Sequence, residues 1–165
     1  MTDNTADQTL CPVARAETVV GGRWTVLILR ELFMRCHRFD EIQAQTGATP
    51  QMIAARLKKL EEDGLVKRRV YNKRPQRYEY HLTEKGEAFF AVLLALRAWG
   101  ETWCKSPKEG RAMIYIHLTC GKPAGLGPVC ESCGKPLRSE ELIAERTPKY
   151  QSERDARWES FKLSR

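Results

Sequence analysis

The stretch TPQMIAARLKKLEEDGLVKRRVYNKRPQRYEYHL, residues 49–82, carries a helix signal followed by a hairpin signal. Thr49 suits an N-cap and Pro50 the first helical position. Met52, Ile53, Leu57 and Leu60 then recur at helical spacing through Glu62, and Asp63-Gly64 ends the helix. Leu65 to Tyr71 alternates in part and predicts a strand, Asn72 to Gln76 a turn, and Arg77 to Leu82 the returning strand. With the apolar positions turned inward, Gln51, Ala55, Arg56, Lys58 and Lys59 remain on the helix's outer surface. From Lys67 to Arg77, six of eleven residues are basic (Lys67, Arg68, Arg69, Lys73, Arg74, Arg77) and none is acidic.

Working towards the N-terminus, Cys11-Pro12 opens a helical stretch to about Val20, and Gly21-Gly22 breaks it. Trp24 to Met34 is strongly apolar. Its Val and Ile content suits a strand, but its length favours a buried helix. Phe39 and Ile42 share one face of a further helix that ends at Thr46-Gly47. Helix, helix, short glycine-containing turn, helix and basic hairpin is the layout of a winged helix-turn-helix. Gln on a reading helix can bond adenine, and Arg or Lys can reach guanine or phosphate. A hairpin tip bearing Asn72, Lys73, Arg74 and Gln76 can follow a minor groove or backbone. A basic hairpin alone reads equally well as a solvated surface. Its place directly behind a capped helix with Arg56 and Lys59 favours double-stranded DNA as partner.

The whole chain agrees with a polyanionic partner: 165 residues carry 28 Lys+Arg against 21 Asp+Glu, a net charge of +7. A hydrophobic content of 42% can supply a core. The longest apolar run, Ala88 to Leu96, has nine residues, well short of the roughly 20 of a membrane span. Residues 1–10 are polar, lack a signal-peptide core and are expected to form a flexible arm. The expected location is the cytoplasm, where six cysteines serve as metal ligands, redox sensors or core residues rather than disulfides. Neither a glycine-rich phosphate loop nor a local catalytic signature is present, so no enzyme activity is expected.

Thr83 can cap a helix running to about Cys104. Phe89, Leu93, Leu96 and Trp103 form one stripe on it, and Phe90, Val92, Leu94 and Trp99 widen that stripe beyond a single core-facing face. Such a helix is buried on more than one side, which in a small protein implies a second subunit. Further on, His117, Cys120, Cys130 and Cys133 have the spacing H-x2-C-x9-C-x2-C, with glycine after each half. Three thiolates and one imidazole form a closed tetrahedral set for structural zinc. Free thiols beside an unrelated histidine, or a Cys130/Cys133 redox pair, are the alternatives. The expected organisation is an arm over 1–10, a winged helix-turn-helix and dimerisation domain over 11–104, a Cys/His module over 105–138 and a charged tail over 139–165. In that tail Glu140 to Arg146 is expected as a short helix and the rest as disordered. The expected fold is mainly α with a small β-hairpin, plus a small zinc-ribbon-like extension.

The runs Cys11-Pro12-Val13, Gly21-Gly22-Arg23-Trp24-Thr25, Arg38-Phe39-Asp40-Glu41-Ile42, Leu57 to Val66 and Tyr80 to Gly86 resemble, in order, the HxlR family of bacterial transcription regulators, relatives of the MarR group. The resemblance covers about residues 11–104. It implies a dimeric winged-helix protein on a palindromic operator, commonly a repressor. It places Gln51, Met52, Ala55, Arg56 and Lys59 on the recognition helix, and Lys73 and Arg74 on the wing. Cys11, at a helix start with Arg15 one turn on, stands where a helix dipole favours thiolate. Several family members sense quinones, aldehydes or oxidants through a cysteine at this place, so a small reactive electrophile is the expected inducer. A structural role for Cys11 near the dimer helices is the alternative. A zinc-dependent protein-interaction module on a winged-helix scaffold is the competing function.

Overall fold

The computed structural model describes residues 9–164. Residues 1–8 of the expected arm lie outside the described residues. The chain divides into two compact units, one ending at Glu84 and the other starting at Lys85.

The first unit holds α1 (Pro12–Val20), α2 (Thr25–Phe33), α3 (Phe39–Thr46), α4 (Pro50–Glu62), β1 (Val66–Lys73) and β2 (Gln76–Leu82). Its core forms where α2, α3 and α4 meet. Ile28, Leu29 and Leu32 from α2, Ile42 from α3, and Ile53, Leu57 and Leu60 from α4 are all fully buried. On α4 those residues stand four and three apart, so one face enters the core and the opposite face is left to solvent. Truncating Leu57 to alanine costs about 2–5 kcal/mol through lost burial and the cavity left behind. Thr49 caps α4 as its spacing predicts, with Oγ1 accepting from the Met52 amide at 3.3 Å.

β1 and β2 form a two-stranded antiparallel hairpin, with Val66 opposite Leu82 and Lys73 opposite Gln76. The register slips between Val70 and Asn72, so Tyr71 is the extra residue of a bulge. The segment before α3 fastens the hairpin root. Tyr80 N–H donates to the His37 carbonyl at 2.8 Å, and the His37 and His81 rings stack with centroids 4.4 Å apart.

The second unit begins within α5 (Glu84–Ala88) and continues through α6 (Phe90–Trp103), β3 (Met113–His117), β4 (Lys122–Pro123), β5 (Leu142–Arg146) and α7 (Pro148–Leu163). The expected helix from Thr83 to Cys104 is thus two helices separated at Phe89. β3 is the centre of a three-stranded antiparallel sheet, order β4-β3-β5. The tail departs from expectation. Glu140 to Arg146 is mostly strand β5, because Leu142 to Arg146 pairs with His117 to Met113 and gains backbone hydrogen bonds that no local pattern announces. The segment after it is the helix α7, capped by Thr147 Oγ1, which accepts from the Tyr150 amide at 3.4 Å. Among the described residues no helix is long and apolar enough to cross a membrane.

Candidate nucleic-acid interface and metal centre

On α4 the structure leaves Gln51, Met52, Ala55 and Lys59 exposed and Arg56 half-buried. All five expected reading residues therefore lie off the core face. Lys59 Nζ also pairs with Asp63 at 2.8 Å, and Lys58 Nζ with Glu62 at 3.7 Å. Exposed pairs of this kind contribute about 0.3–0.5 kcal/mol and open readily for a stronger anion. The Arg56 side chain makes no hydrogen bond or ion pair among the described residues.

The hairpin's six basic residues divide into two groups. Arg68 stacks on Tyr78 and pairs with Glu61 at 3.3 Å. The side chains of Lys67, Arg69, Lys73, Arg74 and Arg77 are exposed and have no ion pair among the described residues. Lys73 and Arg74 sit at the tip, where the Arg74 amide donates to Asn72 Oδ1 at 3.2 Å. Arg38, at the hairpin root, is occupied by Tyr71 and Glu79. Projecting cations with no internal partner suit a phosphate backbone.

Cys11 is exposed at the N-cap of α1, with Pro12 following it. Its side chain caps nothing, and the Arg15 guanidinium turns to the Thr9 carbonyl at 2.6 Å. Cys36 is half-buried and Cys104 exposed.

His117, Cys120, Cys130 and Cys133, 16 positions apart in sequence at their extremes, converge at one end of β3 with ligand atoms all within 4.8 Å of one another. Cys120 Sγ lies 3.8 Å from Cys130 Sγ and 3.6 Å from His117 Nδ1. Cys133 Sγ lies 3.3 Å from the same nitrogen. A tetrahedral zinc with Zn–S of about 2.3 Å and Zn–N of about 2.0–2.1 Å has edges of about 3.8 Å between sulfurs and about 3.6 Å from sulfur to nitrogen. The four residues fit such an ion. Gly121 and Gly134 follow the two halves with φ of 68° and 72°, a left-handed turn that glycine adopts without strain. The turn lets the Gly121 amide reach the His117 carbonyl and the Gly134 amide the Cys130 carbonyl, both at 2.8 Å.

Burial raises the Cys130 thiol, but the amides of Ser132 and Cys133 and the side chains of Cys133 and His117 outweigh it and bring it down to about 6. The Lys135 amide favours the Cys133 thiolate, yet desolvation and the neighbouring Cys130 and Cys120 push that thiol up. Adjacent sulfurs cannot all become thiolates without repelling one another, and a bound metal cation offsets that repulsion. The buried His117 Nε2 has no hydrogen-bond partner among the described residues, and Glu141 Oε2 stands 3.9 Å from it. With Nδ1 on a metal, Nε2 carries the proton and faces this carboxylate, an orientation ligating histidines favour.

Sequence reasoning overlooked Arg97 in the same unit. Its Nη1 donates to the Gly125 and Leu126 carbonyls, both at 3.1 Å, and its Nη2 to the Met113 carbonyl at 2.8 Å. The guanidinium also lies over Tyr115. It fastens α6 to the loop between Cys120 and Cys130. A lone arginine on an apolar helix was the only signal.

A trihelical core with its capped outer helix beside a cation-bearing hairpin defines a winged helix-turn-helix DNA-binding protein. The sequence pattern of the HxlR-like helix-turn-helix family matches residues 19–108, and the chain belongs to that family. It is a transcriptional regulator of this type. The HTH-type transcriptional regulator Rv3095 of Mycobacterium tuberculosis is 36% identical over 140 residues, 85% of this chain and 88% of the relative. The crystal structure of PA1607, described as a transcription factor, is similar with TM-score 0.66 and 35% identity over 87% of this chain and 99% of that one. The redox regulator HypR in its reduced form is similar with TM-score 0.55 and 31% identity over 60% of this chain and 99% of that one.

Proposed function

We propose that this regulator is a homodimeric repressor that binds a palindromic operator through α4 and the β1–β2 hairpin. One observation carries the reading: the capped helix α4 turns Gln51, Met52, Ala55, Arg56 and Lys59 away from the core, and Lys73 and Arg74 project from the hairpin tip with no ion pair among the described residues. Dimerisation through α6 is supported by Val92, Leu96, Trp99 and Trp103, which stand four, three and four residues apart and are all exposed. Burying two indoles and two aliphatic side chains against a second copy is the favourable alternative to leaving them in water. Two-fold pairing then sets the reading helices in successive major grooves, about 34 Å apart.

Zinc at His117, Cys120, Cys130 and Cys133 cross-links the second unit. Four protein ligands leave it no open position for hydrolysis, so the chain is a binding protein rather than an enzyme. Cys11 is the sensor for a small electrophile or oxidant, a role supported by its exposure and by the likeness to a redox regulator. A repressor of this kind works on chromosomal DNA in the cytoplasm. The competing reading, a zinc-dependent protein-interaction module, is favoured by exposed Leu118, Val129 and Ile143 in the second unit.

The test is selection of sheared genomic DNA by the reduced, zinc-loaded protein at about 150 mM salt, where non-specific binding is much weakened. Enrichment of a palindromic site is the expected result. No enrichment would remove the operator-binding reading and leave the interaction module.

A further inference from the structure

The turn between α1 and α2 runs Gly21-Gly22-Arg23-Trp24, and two side chains of α4 rest on it. A Cβ on Gly22 would stand 2.6 Å from both Cζ and Nη1 of Arg56, and 2.9 Å from Oγ1 of the buried Thr25. Gly22 is not among the residues with positive φ, so what it provides is room rather than a special backbone conformation. One residue on, Trp24 Nε1 donates to Met52 Sδ at 3.1 Å, and the Arg23 guanidinium lies over the Trp24 ring at 4.9 Å. Arg23 is exposed, and neither its side chain nor that of Arg56 has a hydrogen bond or ion pair among the described residues. Arg56 thus keeps five donors unspent although it is half-buried and held against backbone.

We infer that the turn Gly22–Trp24 is a working part of the DNA-reading surface. Gly22 sets where the Arg56 guanidinium lies, Trp24 holds Met52 on the first turns of the helix, and Arg23 adds a phosphate contact of its own. The inference rests on α4 being the reading helix. The ligand chemistry is that of duplex DNA: a planar guanidinium takes a guanine edge or a phosphate through two parallel N–H groups. An arginine lying on an indole keeps its edge free for the same acceptors. Gly22 and Trp24 are positioning residues, since they act through Arg56 and Met52.

Affinities for the fragment recovered by genomic selection, and for a mixed-sequence duplex of equal length, test this across a salt series. Gly22→Ala and Arg56→Ala each weaken specific binding on the order of tenfold. The double variant is no weaker than Arg56→Ala beyond about twofold, because the glycine acts through the arginine. Arg23→Ala reduces the slope of log affinity against log salt by about 0.9 on both duplexes.

Parent affinity in Gly22→Ala, or the same further loss on the Arg56→Ala background, overturns the positioning role. An unchanged salt slope in Arg23→Ala overturns the phosphate contact, and this exposed substitution decides the inference should Gly22→Ala fail to fold. Parent affinity in Arg56→Ala refutes the reading helix itself, which separates that failure from failure of the turn. If no fragment is enriched, both fall together.

Discussion

His117 turns Nδ1 towards Cys133 Sγ at 3.3 Å and leaves its buried Nε2 facing Glu141 at 3.9 Å. One ring thereby serves a ligand position and an outer carboxylate together. The expected consequence is one zinc per chain, with Glu141→Gln lowering zinc affinity by about 10–100-fold. Competition with a chromophoric chelator measures the affinity. The absorption spectrum of the cobalt-substituted protein should stay that of a tetrahedral three-sulfur site, because no ligand has been removed. Equal affinity in parent and variant would show that Glu141 plays no part.

Arg97 satisfies the Gly125, Leu126 and Met113 carbonyls at once. Removing the side chain strips three acceptors of a charged donor, at a cost of about 2–3 kcal/mol. Denaturant unfolding of Arg97→Ala should show that loss. Arg97→Lys should recover only part of it, since an ammonium cannot reproduce the planar fork.

Trp99 and Trp103 are exposed on α6. Trp99→Glu should convert the dimer to monomer by light scattering, while the thermal midpoint of each chain's own fold changes little, because most of the Trp99 surface is already exposed within its own chain. A dimer that persists would move the interface elsewhere.

Cys11 is exposed and caps nothing, so Cys11→Ser should leave the fold and basal operator affinity unchanged. The same variant should lose any release from the operator by a thiol oxidant such as diamide or by a quinone. Release that survives the substitution would shift sensing to another thiol.

The first unit was legible in the sequence because its signals are local. Ile53, Leu57 and Leu60 repeat at helical spacing, Thr49 caps what Pro50 begins, and a partly alternating and an alternating segment flank the turn of the hairpin. The Cys/His cluster was legible for the same reason, in two short runs whose glycines mark the turns. The tail was not, because strand β5 exists through its pairing with β3, some 25 positions away at the Leu142–His117 contact. The helix α7 carries mixed charge without a clear apolar stripe, and only Thr147-Pro148 marks its start. Nothing in a linear pattern places Arg56 over Gly22, or shows that Lys59 is paired while Lys73 has no ion pair among the described residues.

The most direct test of the account is a base-resolved footprint of the zinc-loaded protein on its selected operator. Two symmetric protected half-sites about 10 bp apart, centre to centre, are expected, flanked by wing protection that fades in a Lys73→Ala/Arg74→Ala variant. Uniform, sequence-independent coverage, or protection of a single half-site by a monomer, would contradict it.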